Sequence, residues 1–150
     1  MSNDQDLMKL YSQRILSLAS EIPHIGTLSD PDGRAKRRSP LCGSTVSVDI
    51  RVRDGKVTQF AQDVKACALG QAAASVIGQN VLGVTRETLE TGREQLLAML
   101  KEDGAPPKAP FDGLEVLAPA RDYKNRHASI MLTFDALLAA LDESEKAESH

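Results

Sequence analysis

A run of alternating apolar residues followed by a tight-turn signal most constrains the fold of this 150-residue chain. From Thr45 to Arg53 every second residue is valine or isoleucine, which is the period of a strand with one buried face. Asp54-Gly55 follows at once, and glycine tolerates the positive φ that a two-residue hairpin turn requires. The sequence therefore predicts an antiparallel hairpin whose second strand runs from about 56 to 65.

Most of the remaining chain is patterned for helices. Apolar residues recur at helical spacing in segments 6–22, 67–82, 85–101 and 126–141, with a short helical piece at 114–120. Gly83 is a candidate C-cap and Thr85 a candidate N-cap, and a short edge strand is expected at 34–39. Strands that precede a series of helices predict an α+β fold, in which helices pack on one face of a small antiparallel sheet.

Composition limits the classes of protein that the chain can belong to. Apolar residues make up 41% and charged residues 26%, which predicts one domain over 1–150 with a disordered tail at 143–150. A net charge of -3 argues against a general nucleic-acid binder. The first residues lack the apolar region of a secretory signal, and no stretch approaches the roughly 20 apolar residues of a membrane helix. We therefore expect a cytoplasmic protein with reduced thiols.

Two cysteines lie where the sequence pattern changes. Cys42 ends a proline-marked loop before the first hairpin strand, and Cys67 lies between the second strand and an alanine-rich helix. The hairpin is expected to bring both thiols to one end of the sheet, where a helix N-terminus favours a thiolate. His127, near the start of the last helix, is a candidate third ligand. The alternatives are two buried thiols that only fill space, and a histidine that only caps a helix.

A basic run at 34–38 stands out from the acidic average of the chain. It is either a solvated edge strand or a docking patch for an acidic partner. The chain has no Gly-x-Ser-x-Gly motif of a hydrolase and no glycine-rich phosphate loop. Its chemistry is therefore expected at the two thiols.

Several short motifs resemble one known family. They are Pro40-Leu41-Cys42-Gly43-Ser44, the Asp54-Gly55 hairpin, Cys67-Ala68-Leu69 leading into Ala72-Ala73-Ala74-Ser75, and Ser129-Ile130-Met131-Leu132 in the last helix. Together they resemble the IscU/NifU/SufU iron–sulfur cluster scaffold family, and most closely its SufU branch, from the N-terminal helix to about Leu138. The resemblance implies an α+β scaffold, with a transient iron–sulfur cluster or zinc as cofactor, or none. It also implies a cysteine desulfurase and iron–sulfur acceptor proteins as partners, without nucleic acid or membrane.

The resemblance also implies which residues form the site. The family uses three cysteines and an aspartate, and Cys42 and Cys67 correspond to the first two cysteines. Ser44 stands at the aspartate position and Ser129 at the third cysteine, so His127 is the expected further ligand. Neutral hydroxyls are poor ligands for iron or zinc compared with thiolate or carboxylate.

Three functions follow from this degenerate site. The first is a scaffold-like protein that binds metal or a cluster and accepts sulfur at Cys67 or Cys42, without being an enzyme in its own right. The second is a metal-free docking or regulatory module. The third is a redox protein in which the two cysteines form a reversible disulfide.

Overall fold

The computed structural model describes residues 12–40 and 43–148. Its elements, in chain order, are α1 (Gln13–Ser20), β1 (Gly33–Ser39), β2 (Ser44–Arg53), β3 (Lys56–Lys65), α2 (Ala68–Asn80), α3 (Arg86–Lys101), a 3-10 helix (Asp112–Asp122) and α4 (Lys124–Glu148). No helix in the described part of the chain is long and apolar enough to cross a membrane.

The three strands form one antiparallel sheet in the order β1-β2-β3. Asp54 and Gly55 connect β2 to β3 with φ values of 54° and 76°, the conformation that a two-residue hairpin favours because it matches the twist of the strands. The hairpin and the edge strand expected at 34–39 are both confirmed.

One face of the sheet is buried under helices. Val46, Val48 and Ile50 of β2 are at most 1% exposed, and they alternate with residues of the opposite face as the period of two requires. Helix α4 contacts both β1 and β2, and α2 packs against α4 and α1. The predicted α+β class is therefore confirmed. Below, the sheet face away from these helices is called the outer face.

Small side chains let α2 lie at the centre of the core. Ala72, Ala73 and Ala74 are fully buried, together with Leu69 and Ile77. A helix that is buried on nearly all sides needs short residues to come close to its neighbours. The alanine-rich helix predicted after Cys67 is thereby confirmed, and the structure shows that it is buried.

The ends of α2 and α3 show which capping predictions hold. Thr85 caps α3, because its hydroxyl accepts a hydrogen bond from the Thr88 backbone N–H. Gly83 is not the C-cap of α2: that helix ends at Asn80 with Val81 as its cap, and Gly83 has a φ of 89° in the following turn. The glycine is needed for the turn and not for the helix end.

The last helix is longer than its apolar pattern indicates. It continues through 143–148, where the sequence predicts a disordered tail. Arg86 at the start of α3 donates hydrogen bonds to Asp142 and Glu145, and Ser144 is 2% exposed. Tertiary contacts therefore support the extra turns. At the other end of the chain, α1 occupies 13–20 of the predicted 6–22, and residues 6–11 lie outside the described residues.

Candidate functional site

The sheet register places the start of β2 beside the end of β3. Thr45 pairs with Lys65, so Ser44 and the residues that follow Lys65 lie at the same end of the sheet. Cys67 is the N-cap residue of α2, with an extended backbone at φ -67° and ψ 169°. The hairpin therefore positions the second cysteine as the sequence predicts. Leu41 and Cys42 lie outside the described residues.

Helix α4 brings Ser129 to this end of the sheet. The Ser129 hydroxyl donates a hydrogen bond to Ser44 Oγ at 3.1 Å, and its oxygen lies 3.6 Å from Cys67 Sγ. Residues far apart in sequence thus form one group, which we call the serine–thiol cluster (Ser44, Cys67 and Ser129). These are three of the four positions that the family resemblance assigns to ligands.

Gly70 is what allows α2 and α4 to approach so closely. A Cβ atom at this position would lie 2.6 Å from Ser129 Oγ and 3.1 Å from the Ser129 carbonyl oxygen. The first distance is shorter than a methyl group tolerates, so glycine is the residue that fits. Sequence reasoning missed Gly70, although glycine is disfavoured in helices, by about 1 kcal/mol relative to alanine in a helix interior, and its presence signals a packing constraint.

The cluster is buried on its hydroxyl side and open on its thiol side. Ser44 and Ser129 are 3% and 1% exposed, whereas Cys67 is half-buried. Ser39, directly across the strand pair from Ser44, is also buried, and its hydroxyl has no hydrogen-bond partner in the described part of the chain. Most buried polar groups are hydrogen-bonded, so Ser39 leaves spare hydrogen-bonding capacity beside the cluster. The sequence signals neither its burial nor its missing partner.

The thiol of Cys67 is easier to ionise than an ordinary cysteine. Burial is the largest influence and by itself raises its pKa, but the Gly70 N–H, the Ser129 hydroxyl, the Leu69 N–H and the charge of Arg126 act in the opposite direction. Their sum lowers the pKa of Cys67 below its usual value. Donors at a helix N-terminus favour a thiolate, so Cys67 is suited to act as a nucleophile or a ligand.

His127 lies elsewhere. It is 4% exposed, and its Nε2 is 3.0 Å from the Ala120 carbonyl oxygen and 3.1 Å from that of Arg121. Both acceptors belong to the 3-10 helix, so Nε2 is the donor there. Residues two positions apart in an α-helix are separated by about 200° around the helix axis. His127 and Ser129 therefore lie on nearly opposite sides of α4. The structure does not bring His127 to Cys67, and its expected role as third ligand has no support in this geometry.

The cluster does not provide the donors of a metal site. Over residues 12–40 and 43–148, no group of three or more His, Cys, Asp or Glu side chains could hold a metal ion. The cluster offers one thiolate and two neutral hydroxyls, and hydroxyls are weak donors to iron or zinc. The donor set of the described residues therefore does not fit an iron–sulfur cluster or tightly bound zinc.

The basic run at 34–38 forms most of the edge strand β1. Arg34, on the outer face, donates two hydrogen bonds to Asp49, at 2.8 and 3.1 Å. The exposed side chains of Lys36, Arg37 and Arg38 follow, and no ion pair involves them within the described residues. This arrangement is compatible with both roles predicted for the run, a solvated edge strand and a docking patch for an acidic partner.

The sequence and the fold both resemble those of known proteins. A model of the family described as the NifU-like N terminal domain matches residues 10–128. The chain is 46% identical to the N-terminal part of a nitrogen-fixing NifU-like protein from Brucella abortus. That crystal structure matches with a TM-score of 0.91 and covers 94% of this chain and 98% of its own.

More distant relatives agree with this match. The iron-sulfur cluster assembly scaffold protein IscU of Thermotoga maritima is 22% identical over 132 residues, which are 88% of this chain and 92% of the relative. A Fervidobacterium islandicum protein named for iron-sulfur cluster assembly in the SUF system has a TM-score of 0.80 at 16% identity, covering 89% of this chain and 98% of its own. This last likeness shows the fold alone. The predicted resemblance to the IscU/NifU family is confirmed.

Proposed function

The chain belongs to the NifU-like N terminal domain family, and we propose that it serves iron–sulfur cluster assembly by accepting sulfur at Cys67 from a cysteine desulfurase. Family membership supports a role in iron–sulfur cluster assembly. The site supports sulfur acceptance at Cys67, because a single thiol is enough to accept sulfur, whereas holding a cluster takes several thiolates.

A single observation carries this proposal. Cys67 is a half-buried thiol at the start of α2, and the donors around it lower its pKa. The thiolate is the form that attacks a sulfur–sulfur bond. The Ser129 hydroxyl, 3.6 Å from Sγ, can stabilise negative charge on sulfur by turning its single hydrogen from Ser44 to the thiolate.

The proposed step conserves atoms and electrons. The Cys67 thiolate attacks the outer sulfur of a persulfide on the desulfurase, and a new sulfur–sulfur bond forms on Cys67. The sulfur–sulfur bond of the desulfurase breaks, and its cysteine leaves as a thiolate. No external oxidant or reductant is needed, since the outer sulfur moves with its oxidation state unchanged.

Mass spectrometry tests this step directly. The protein is incubated with a cysteine desulfurase and L-cysteine, and the added sulfur is located by peptide mapping under non-reducing conditions. We expect the mass of one sulfur atom on Cys67 in the wild type and in Cys42→Ser, and none at this position in Cys67→Ser. Sulfur that accumulates only on Cys42 would contradict the assignment of Cys67.

Metal binding is a second proposal, and it depends on Cys42. We propose that any iron, cluster or zinc held by one chain takes both thiolates, Cys42 and Cys67. Their family-like spacing supports this pairing. A site so short of ligands should lose most of its affinity with either thiolate, so Cys42→Ser and Cys67→Ser should each reduce the metal content of anaerobically purified protein. Full occupancy in both variants would place the metal elsewhere.

A further inference from the structure

Charge is divided between the sheet and the rest of the chain. Residues 33–65, which form the sheet, contain eight Lys and Arg against three Asp and Glu. The remaining residues contain ten Lys and Arg against 18 Asp and Glu. The net charge of -3 therefore conceals a basic sheet joined to acidic flanking segments, an arrangement that orients a charged partner as it approaches.

Part of the uncompensated charge lies near the thiol. Arg38 and Lys65 both pair with Thr45, so the three residues form one row across the outer face at the end of the sheet that leads to Cys67. Two strand spacings separate the cations by about 10 Å. Both side chains are exposed, and neither forms an ion pair within the described residues.

The next rows differ in charge balance. Lys36 and Asp63 flank Ser47 in the second row, so this row is neutral. In the third row, Arg34 is bonded to Asp49. Among these three rows, positive charge without a partner is therefore greatest beside the cluster.

Arg53 and Lys56 form a second exposed pair of cations without an ion pair in the described residues, but they lie at the opposite end of the sheet from Cys67. Charged side chains also blunt exposed sheet edges, and β1 and β3 are both edge strands, so the location near Cys67 is what distinguishes Arg38 and Lys65 from other edge charges.

We propose that the Arg38–Lys65 end of the outer face docks an acidic protein surface and thereby directs that partner to Cys67. The proposal rests on the proposed function for the identity of the partner, a protein that delivers sulfur to the thiol. Charge complementarity supports it, because cations beside a reactive group favour encounters in which an acidic partner arrives at that group.

The same surface is less suited to nucleic acid. The three phenylalanines of the chain are each at most 4% exposed, so they cannot stack on bases. The cation row is only two strand spacings wide, whereas nucleic-acid affinity grows with the number of phosphates contacted. The acidic remainder of the chain would repel the rest of a polyanion.

Association kinetics with a purified cysteine desulfurase test the docking surface. The variant is Arg38→Glu with Lys65→Glu. The matched control is Lys101→Glu with Lys108→Glu, which gives the same net charge and changes two exposed lysines outside the sheet. Stopped-flow association rates are measured at about 0.05 M and about 0.5 M salt, since screening weakens such contacts.

We expect the sheet variant to associate about tenfold more slowly than the wild type at low salt, with most of the difference lost at high salt. The control should remain within about twofold of the wild type. Both variants should unfold at nearly the wild-type temperature, because all four side chains are exposed. The proposal would be overturned by a wild type that does not bind, by equal slowing in the control, or by tighter binding to duplex DNA or phosphatidylserine vesicles.

Sulfur transfer in the same samples separates this proposal from the proposed function. If sulfur reaches Cys67 but the sheet variant associates at the wild-type rate, the docking surface is wrong and the function stands. If association depends on the sheet charges but no sulfur reaches Cys67, the surface stands and the sulfur-acceptor function is wrong.

Discussion

Two buried polar groups on strand β2, at Asp49 and at Ser44, differ in how fully they are hydrogen-bonded. The Asp49 carboxylate accepts hydrogen bonds from the Leu28 N–H at 2.9 Å and twice from Arg34. Ser44 receives one hydrogen bond from Ser129, and the neighbouring Ser39 hydroxyl has no partner among the described residues. A saturated network holds a loop in place, whereas an incompletely bonded one beside a thiol keeps capacity for a ligand.

Restoring the family ligands at the serine–thiol cluster gives the sharpest contrast and the largest expected effect. Ser44→Asp with Ser129→Cys would add a carboxylate and a thiolate beside Cys67. We expect zinc affinity to increase by several kcal/mol, given that structural zinc sites in small domains total roughly 10–16 kcal/mol. Competition with a chromogenic chelator measures this gain.

The matched control places the same residue types at other positions on the same elements. Ser47→Asp with Ser144→Cys uses β2 and α4 but lies away from Cys67, and it should leave zinc affinity unchanged. If the cluster variant gains nothing over this control, the backbone geometry of the site has diverged together with its ligands.

Removing the carboxylate of the saturated network should cost more stability than any change to the cluster hydroxyls. Asp49→Ala leaves the Leu28 N–H and the Arg34 guanidinium without their acceptor. We expect a loss of about 2–3 kcal/mol in the free energy of unfolding by urea. The exposed Asp63→Ala on the same face is the control, and we expect it to change stability by about 0.5 kcal/mol or less.

The same carboxylate predicts a pH dependence. Burial by itself raises the pKa of Asp49, but the hydrogen bonds from Arg34 and Leu28 and the charge of Arg34 lower it overall. Its contribution is therefore complete above the ordinary carboxyl pKa of about 3.9 and is lost as the pH falls below that value. The stability difference between the wild type and Asp49→Asn should shrink between about pH 5 and pH 3. A difference that grows in this range would contradict the assignment.

The packing of α2 against α4 at the serine–thiol cluster should be sensitive to one added methyl group. Gly70→Ala would place Cβ 2.6 Å from Ser129 Oγ, and overpacking of this kind costs about 1–3 kcal/mol, less the gain in helix propensity. The double variant with Ser129→Ala removes the hydroxyl that clashes. A double-mutant cycle on urea unfolding should therefore show favourable coupling between the two substitutions. Additive effects would mean that the strain comes from Ala66 Cβ, which would lie 2.9 Å from the added atom, and not from the Ser129 hydroxyl.

The smallest expected effect is on the ionisation of the Cys67 thiol. Ser129→Ala removes one of the groups that lower the pKa of Cys67, so that pKa should rise and less thiolate should be present at neutral pH. We expect alkylation of Cys67 by iodoacetamide to slow about threefold at pH 7. Ser144→Ala, which removes another buried hydroxyl of α4, should leave the rate unchanged, and an equal slowing there would point to a general loosening of the helix.

Local patterns explain which parts of the fold could be predicted. The alternation at 45–53 and the Asp54-Gly55 turn act between near neighbours, so they specify the hairpin and the end of the sheet where Cys67 lies. The length of α4 could not be predicted from local patterns, because its last turns are held by Arg86 of another helix. Helix ends that depend on distant ion pairs leave little trace in apolar periodicity.

The features of the candidate site also separate into those set by the local sequence and those set by tertiary packing. The sequence alone determined the position of Cys67 at the start of α2 and, through the family likeness, it singled out Ser44 and Ser129 as candidate site positions. Only the tertiary structure decided that Ser129 bonds to Ser44 beside the thiol while His127 turns to the 3-10 helix. The physical reason is that a residue's position along a helix is local, but the partner it faces depends on how α4 packs against α2 and the sheet, which Gly70 permits.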